Sequence, residues 1–381
     1  MVFRLAFMNP THIVRSIAVL TLAVGLAACS GNQGTETTGE DTEPTGSAGG
    51  EGDKLALADN VALTGAGASF PAPIYQRWFQ EISSQYPKLR VNYQSIGSGA
   101  GVEQFSQETV DFGASDVAMK DEEISEVDRG VLMLPMTAGS IVLAYNLEGV
   151  EELKLPRDVY VDILLGNITN WNDPAIAEAN EGVELPDQPI TVIHRSDGSG
   201  TTGVFTKHLS AISPEWEEQV GEGKTVEWPT GVGAKGNEGV TAQIQQTDGA
   251  IGYVEYGYAK NNDLNFAALE NQSGNFVTPS DESASKTLEA VTLPENLRAF
   301  ISDPEGEESY PIVTYTWLLA YQEYENPETA KSLEATIEYA LTKGQEIAPE
   351  LGYVALPQNV REKVAEAADV ISPDYDIDVS E

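Results

Sequence analysis

The chain has 381 residues, 41% of them hydrophobic, enough for one large domain or two ordinary ones with real cores. Sixty acidic residues against 21 basic ones give a formal charge of −39, which excludes a nucleic-acid-binding surface and points to a strongly solvated, salt-tolerant exterior. A single cysteine, Cys29, rules out an intrachain disulfide.

Arg4 and Arg15 precede the apolar run "SIAVLTLAVGLAA", and Leu26-Ala27-Ala28-Cys29 closes it. A charged segment, a short apolar stretch and small residues before a cleavage point make a secretory signal, and the run is too short for a transmembrane helix. The Leu-Ala-Ala-Cys end resembles the bacterial lipoprotein signal, in which the cysteine becomes the lipidated first residue. An ordinary signal with a chance cysteine is the alternative. Residues 1–28 are therefore expected to be removed, which takes away two arginines and moves the charge to −41. Residues 30–53 hold no aromatic residue and no aliphatic one larger than Ala, so they cannot build a core and predict a disordered tether. We place the tether at 29–56, with the folded body under way by Val61.

Strand and helix signals then alternate. "NVALTGAGA" reads as a strand entering a glycine-rich turn, and Ile74, Trp78, Phe79 and Ile82 fall at helical spacing. "LRVNYQSI" predicts a strand, "GAGVEQFSQE" a helix and "VDFGAS" a strand. "PRDVYVDILLG" predicts a helix, "ITVIH" a strand and "GTTGVFTKHLS" a helix. Asn326-Pro327 caps a last helix carrying Ala330, Leu333, Ile337 and Leu341, which Gly344 is expected to stop. The alternation implies an α/β fold with largely parallel sheets. "LPMTAGSIVLAYN" (134–146) and "YPIVTYTWLLAYQ" (310–322) echo one another. They read either as a chance likeness of apolar strands or as two strands crossing between similar lobes, with a hinge and a cleft.

Four segments place glycines and hydroxyls directly after a strand: "TGAGASFPAP", "SIGSGAG", "GASD" and "RSDGSGTTG". Ligands of α/β sheets bind beyond the carboxyl ends of strands, and helix N-termini there offer unpaired N–H groups and partial positive charge. Ser69, Ser98, Ser199 and Thr201 read singly as turn or cap residues. Together with Arg195 they suit an oxyanion held by neutral dipoles and one guanidinium fork. Asp197 is placed to pin Arg195, unless the pair is an ordinary surface one. Asp116 would repel an anion unless that anion brings a proton to donate, a device that rejects fully ionised competitors. The other reading makes Asp116 the cap of a helix near "MKDEEISE".

These words, with "WPTGVGAKGNEGV" and "GAIGYVEYGYA", resemble the phosphate-binding proteins of bacterial phosphate-specific ABC importers, in order and across most of residues 61–365. The resemblance implies a class II periplasmic binding fold, two Rossmann-like lobes joined by a two-strand hinge, with 57–136 and 310–381 as lobe I and 137–309 as lobe II. It implies one inorganic phosphate held by Ser69, the Phe70 N–H, Ser98, Asp116, Arg195, Ser199, Gly200 and Thr201, with Asp197 orienting Arg195 and Asp116 accepting the phosphate proton. It implies delivery to membrane permease subunits; the signal and Cys29 place the protein outside the cytoplasm, anchored by lipid, and we expect no cofactor, no metal and a monomer. Ser69 stands where the family commonly has Thr, and "SIGSGAG" where "GIGSSGG" is common; the hydroxyl is kept in both.

A phosphate-handling hydrolase is the rival class. It lacks support: "GSGTT" is not Gly-x-Ser-x-Gly, no Gly-Lys-Ser/Thr follows directly on it, and only His194 and His208 outlast the signal. A sulfate-like oxyanion is the other alternative, which a proton-accepting Asp116 disfavours.

Overall fold

The computed structural model describes residues 54–380; the signal, Cys29 and the tether through residue 53 lie outside them. Ahead of Val61 the chain is already docked. Leu55 and Leu57 are buried, Lys54 pairs with Glu338, and the Ala56 carbonyl accepts from Lys331 Nζ at 2.8 Å.

Twelve strands are present among the described residues. In chain order they are β1 (Val61–Gly67), β2 (Leu89–Ser95), β3 (Phe112–Ser115), β4 (Leu132–Tyr145), β5 (Lys154–Leu155), β6 (Thr191–Arg195), β7 (Val232–Ala234), β8 (Ala250–Glu255), β9 (Asn265–Phe266), β10 (Ala268–Glu270), β11 (Phe276–Val277) and β12 (Val313–Ala320). The main sheet runs β2-β1-β3-β12-β4-β8-β6-β7, with β9 beside β4; β11-β10-β5 form a small second sheet.

Both flanks of the main sheet are parallel, β2-β1-β3 at one end and β8-β6-β7 at the other. Its middle is not. β12 runs antiparallel to β3 and to β4, and β4 antiparallel to β8. The sheet is therefore mixed, where the alternation alone predicts it largely parallel. Hydrophobic period reports burial, not strand direction, and these two runs are buried along nearly their whole length. The echoing segments of the sequence are these two strands, and they pair with each other from Val313↔Ser140 to Ala320↔Leu132.

The helices fall close to their predicted positions: Ala72–Gln85, Ser98–Ser106, Arg157–Leu165, Gly200–Ile212 and Pro327–Leu341. Ala72–Gln85 turns Ile74, Tyr75, Trp78, Phe79 and Ile82 inward. Tyr75 and Phe79 meet Tyr93 of β2, and Phe79 meets Phe112 of β3. These ring pairs fix the helix over the β1 flank, and so fix the loop that enters it. The last long helix has the predicted Asn326 cap, whose side chain accepts from Glu328 N–H. Gly344 does not stop it. The helix ends at Leu341, and Gly344 lies inside a following short helix, Lys343–Ile347. Its carbonyl accepts from Trp78 Nε1 at 2.8 Å, and a Cβ there would sit 2.7 Å from that nitrogen. The glycine serves a close approach rather than a terminus.

No helix of the described residues is long and apolar enough to cross a membrane.

Candidate functional site

The carboxyl ends of three strands, β1 and β2 from one parallel flank and β6 from the other, converge with their following turns. β1 leads to Ser69-Phe70 and the helix Ala72–Gln85. β2 leads to Gly97 and the helix Ser98–Ser106. β6 leads to Arg195–Ser199 and the helix Gly200–Ile212. β3 ends at Ser115 and delivers Asp116 between them. Ser69, Ser98, Asp116, Arg195, Ser199 and Thr201 are all buried, as is Phe70. The turns touch directly: Gly99 N–H donates to the Gly198 carbonyl at 2.8 Å.

Arg195 is clamped by Asp197. Nε donates to Oδ1 at 2.8 Å and Nη2 to Oδ2 at 2.5 Å, a bidentate fork. Arg195's side chain is 1% exposed and Asp197's 11%, so this is not an ordinary surface pair. Burial alone would lower the guanidinium's pKa, yet the hydrogen bonds and charge of Asp197 hold it above its ordinary value. Burial likewise pushes the Asp197 carboxyl up, and Arg195 more than reverses that. Asp197 Oδ1 also accepts from Gly236 N–H at 3.1 Å. Arg195 Nη1 is buried and has no hydrogen-bond partner in the protein. A buried guanidinium nitrogen left without an acceptor is costly, and its natural complement is an anion.

Asp116 does not cap the helix after it, which spans Asp121–Ser125 and has Lys120 at its N-cap. Its carboxylate instead accepts from Thr201 Oγ1 at Oδ2 (3.1 Å) and from Thr316 Oγ1 at Oδ1 (3.0 Å). Burial pushes its pKa up to about 6, and the Thr316 hydroxyl, the charge of Arg195 and Thr201 restrain the rise. At neutral pH it is an ionised acceptor.

The hydroxyls have defined directions. A hydroxyl carries one donor and two lone pairs. Ser69 Oγ accepts from both the N–H and the Nδ2 of Asn237, each at 2.9 Å. Both lone pairs are taken, so its hydrogen points elsewhere, as an outgoing donor. Ser98 Oγ accepts from Asp116 N–H at 3.2 Å, and Ser199 Oγ caps its helix by accepting from Thr202 N–H at 3.0 Å. Each retains its O–H. The helix start at Gly200 and Thr201 adds main-chain N–H groups with no intrahelical partner. The converging turns thus hold several buried donors, one unpartnered guanidinium nitrogen and one carboxylate able to accept a proton.

The structure thus brings together the loops carrying every site residue read from the sequence. Two further participants escape a sequence reading. Asn237, at the start of the helix Gly236–Gln246, bonds Ser69 and reaches Thr201 Oγ1 at 3.3 Å, while its Oδ1 accepts from Glu255 N–H. "GAKGNEGV" has the same glycine-and-polar character as the other loops, but β7 before it is three residues long and mostly exposed, too weak to read as a strand. Thr316 lies inside an apolar strand, where no local pattern marks it.

The elements of a hydrolase are apart. His194 stacks on Trp228, and His208 Nε2 meets Tyr160 Oη at 2.8 Å; burial lowers the His208 pKa to about 4. Neither bonds Ser199. Among the described residues no group of three or more His, Cys, Asp or Glu is placed to hold a metal ion. Beside Asp116 opens a cavity of about 500 Å3 with Lys120, Lys207 and Lys224 in its lining.

A family model described as a PBP superfamily domain matches residues 32–343. The phosphate-binding protein PstS of Pasteurella multocida is 45% identical over 312 residues, 79% of this chain and 88% of that protein. The protein of that name from Xylella fastidiosa strain 9a5c is 37% identical over 355 residues, 92% of this chain and 95% of its own. Among solved structures, a phosphate-binding protein from Stenotrophomonas maltophilia matches with a TM-score of 0.66 at 19% identity, covering 84% of this chain and 100% of that one. A high affinity periplasmic phosphate-binding protein gives 0.67 at 19% identity, over 84% and 96%. At such identities the likeness is one of fold, and the fold agrees with the family. The chain belongs to the PBP superfamily and, within it, to the PstS family of phosphate-binding proteins, which are binding proteins rather than enzymes.

Proposed function

We propose that the protein is an extracytoplasmic lipoprotein that binds one inorganic phosphate in the cleft between two lobes and hands it to the permease of an ABC importer. The observation that carries the reading is Arg195 Nη1, buried and without a protein acceptor on a loop that meets those carrying Ser98, Asp116 and Thr201. In this reading phosphate lies among Ser69, the Phe70 N–H, Ser98, Asp116, Arg195, Ser199, Gly200 and Thr201. The lobes are 57–136 with 310–381, and 137–309, and β4 with β12 is the hinge. Phosphate at neutral pH keeps at least one proton and can give it to Asp116, whereas sulfate cannot. The identity with the PstS proteins supports phosphate as the ligand. Cys29 carries the lipid, the mature protein is a monomer, and the acidic exterior keeps it dispersed.

Calorimetric titration tests this directly. Phosphate is expected to bind at one site and sulfate to give no heat; equal binding of both sinks the phosphate assignment. Cys29→Ala is expected to release the protein from membranes, and recovery of the variant in the membrane fraction would refute lipid anchoring.

Closure has its own test. A Cβ on Gly200 would lie 2.3 Å from Ser98 Oγ and 2.8 Å from Asp116 N, so Gly200→Ala should wedge the loops apart. Phosphate affinity is expected to fall at least about tenfold, on the scale of one lost charge-assisted hydrogen bond. Small-angle scattering should show compaction with phosphate in the parent protein and less of it in the variant. An unchanged radius in the parent on adding phosphate would sink the closure.

A further inference from the structure

Ser115, at the end of β3, pairs with Trp317 of β12. One residue further along that antiparallel ladder, Asp116 stands opposite Thr316. Residues opposite each other share a face of the sheet, and the Thr316 hydroxyl, fully buried, donates to Asp116 Oδ1 at 3.0 Å. On its other side β12 meets an irregularity in β4. Thr316 pairs with Thr137 and Trp317 with Pro135, which leaves Met136 as an extra residue. Proline cannot donate to the ladder, and bulges beside sites re-aim side chains. Thr314, two residues back on the same face, shares its hydroxyl hydrogen between the Tyr315 carbonyl at 2.8 Å and the Asp116 carbonyl at 3.3 Å. β12 therefore grips Asp116 by its carboxylate and by its main chain.

We infer that Thr316 is a specificity-positioning residue: its hydroxyl occupies Asp116 Oδ1, fixing the carboxylate so that Oδ2, which also accepts from Thr201 Oγ1, takes the anion's proton with its remaining lone pair. The inference rests on the phosphate reading above and deepens it. Thr316 touches no ligand; it acts through Asp116.

The electrostatic surroundings give this bond its weight. Arg195 of β6 is the cation that favours ionised Asp116. The other titratable groups that sense its charge are Glu255 at the end of β8, Tyr75 in the first helix, Tyr93 of β2, Tyr258 after β8, and Tyr353. Burial raises the pKa of every one of them: the four tyrosines, raised from an already high ordinary value, are neutral phenols near pH 7, and Glu255 is pushed toward its neutral form. Asp116 thus depends on Arg195 and on two threonine hydroxyls to stay an anion. A hydrogen bond to the charged form favours that form. Without the Thr316 hydroxyl, Asp116 keeps its own proton at higher pH and becomes a donor. A donor accepts any oxyanion, and sulfate is no longer penalised.

The test uses the full chain with Thr316→Val, Thr316→Ala and Thr316→Ser, titrated with phosphate and with sulfate from about pH 5 to about pH 8. In the Val and Ala variants the phosphate-to-sulfate affinity ratio at neutral pH is expected to fall about tenfold. The pH at which discrimination is half lost should move up by about one unit. The Ser variant, which keeps the hydroxyl, should behave like the parent. Ala serves where Val fails to fold. A parent-like ratio and pH profile in the folded Val or Ala variant overturns the inference, as does a Ser variant impaired as much as Ala. Failure of the parent protein itself to bind phosphate is a different result, which removes the functional reading and this inference with it.

Discussion

Arg195→Met is expected to lower phosphate affinity by about a thousandfold, roughly 4 kcal/mol. The size follows from where the guanidinium sits. Two of its nitrogens are committed to Asp197, and Nη1 is buried with no protein acceptor. An anion that fills the site completes the guanidinium's hydrogen bonding in a dry environment, where a charge-assisted bond has about twice the strength of a neutral one. Methionine keeps the packing volume and removes both charge and fork. Arg195→Lys restores the charge but not the fork, and should recover only part of the loss. The same change strands Asp197. Its carboxyl is held below its ordinary pKa by Arg195, so the pair's stabilisation is present at neutral pH and lost as the carboxylate protonates in acid. Arg195→Met should therefore also lower the melting temperature. Arg195→Met/Asp197→Asn separates the two effects, because it should recover much of the melting temperature and none of the affinity. Calorimetry and thermal melting read both. Phosphate affinity within about tenfold of the parent in the single variant would show that Arg195 is not the anion's anchor.

Arg195 and Asp197 are close in sequence, and that nearness makes their pairing legible from the residues alone. The same holds for the caps at Ser199 and Asn326, and for the helix Ala72–Gln85, whose apolar face has a clear period. What a sequence does not convey is long-range partnership. Ser69 is 168 residues from Asn237, and Asp116 is 200 residues from Thr316. No local pattern predicts such pairs, since they arise only when strand ends from both flanks of the sheet meet. Strand direction in the middle of the sheet is hidden for a related reason. β4 and β12 are buried on both faces, so their apolar runs look alike whichever way they pair. Gly344 misleads in the opposite way. A glycine after an amphipathic run is a common helix stop, but this one is needed by Trp78, 266 residues earlier in the chain.

Asp116→Asn is expected to trade selectivity for stability. Burial raises the folded-state pKa of Asp116 from 3.8 to about 6. A carboxyl that holds its proton more tightly folded than unfolded contributes stability below the unfolded value, and that contribution is lost as pH rises through the folded value. At neutral pH the ionised carboxylate therefore carries a cost of about 3 kcal/mol in the ligand-free protein. Asparagine is neutral and nearly isosteric, and can still engage Thr201 and Thr316. The ligand-free variant should melt higher than the parent above about pH 6 and not at about pH 4, where the parent's carboxyl is already protonated. Binding should move the other way. The amide nitrogen donates to an oxyanion whether or not that oxyanion has a proton, so sulfate is no longer repelled. The phosphate-to-sulfate ratio should fall about a hundredfold or more, roughly 3 kcal/mol, through gained sulfate affinity as much as lost phosphate affinity. The parent should approach the variant's behaviour as pH falls below about 6, because protonation makes the same change that the substitution does. A variant that still refuses sulfate, or that is no more stable than the parent at neutral pH, would mean that Asp116 is not an ionised gate in the resting protein. A gate of this kind explains why a chain so acidic keeps one more carboxylate buried at the place where it must hold an anion.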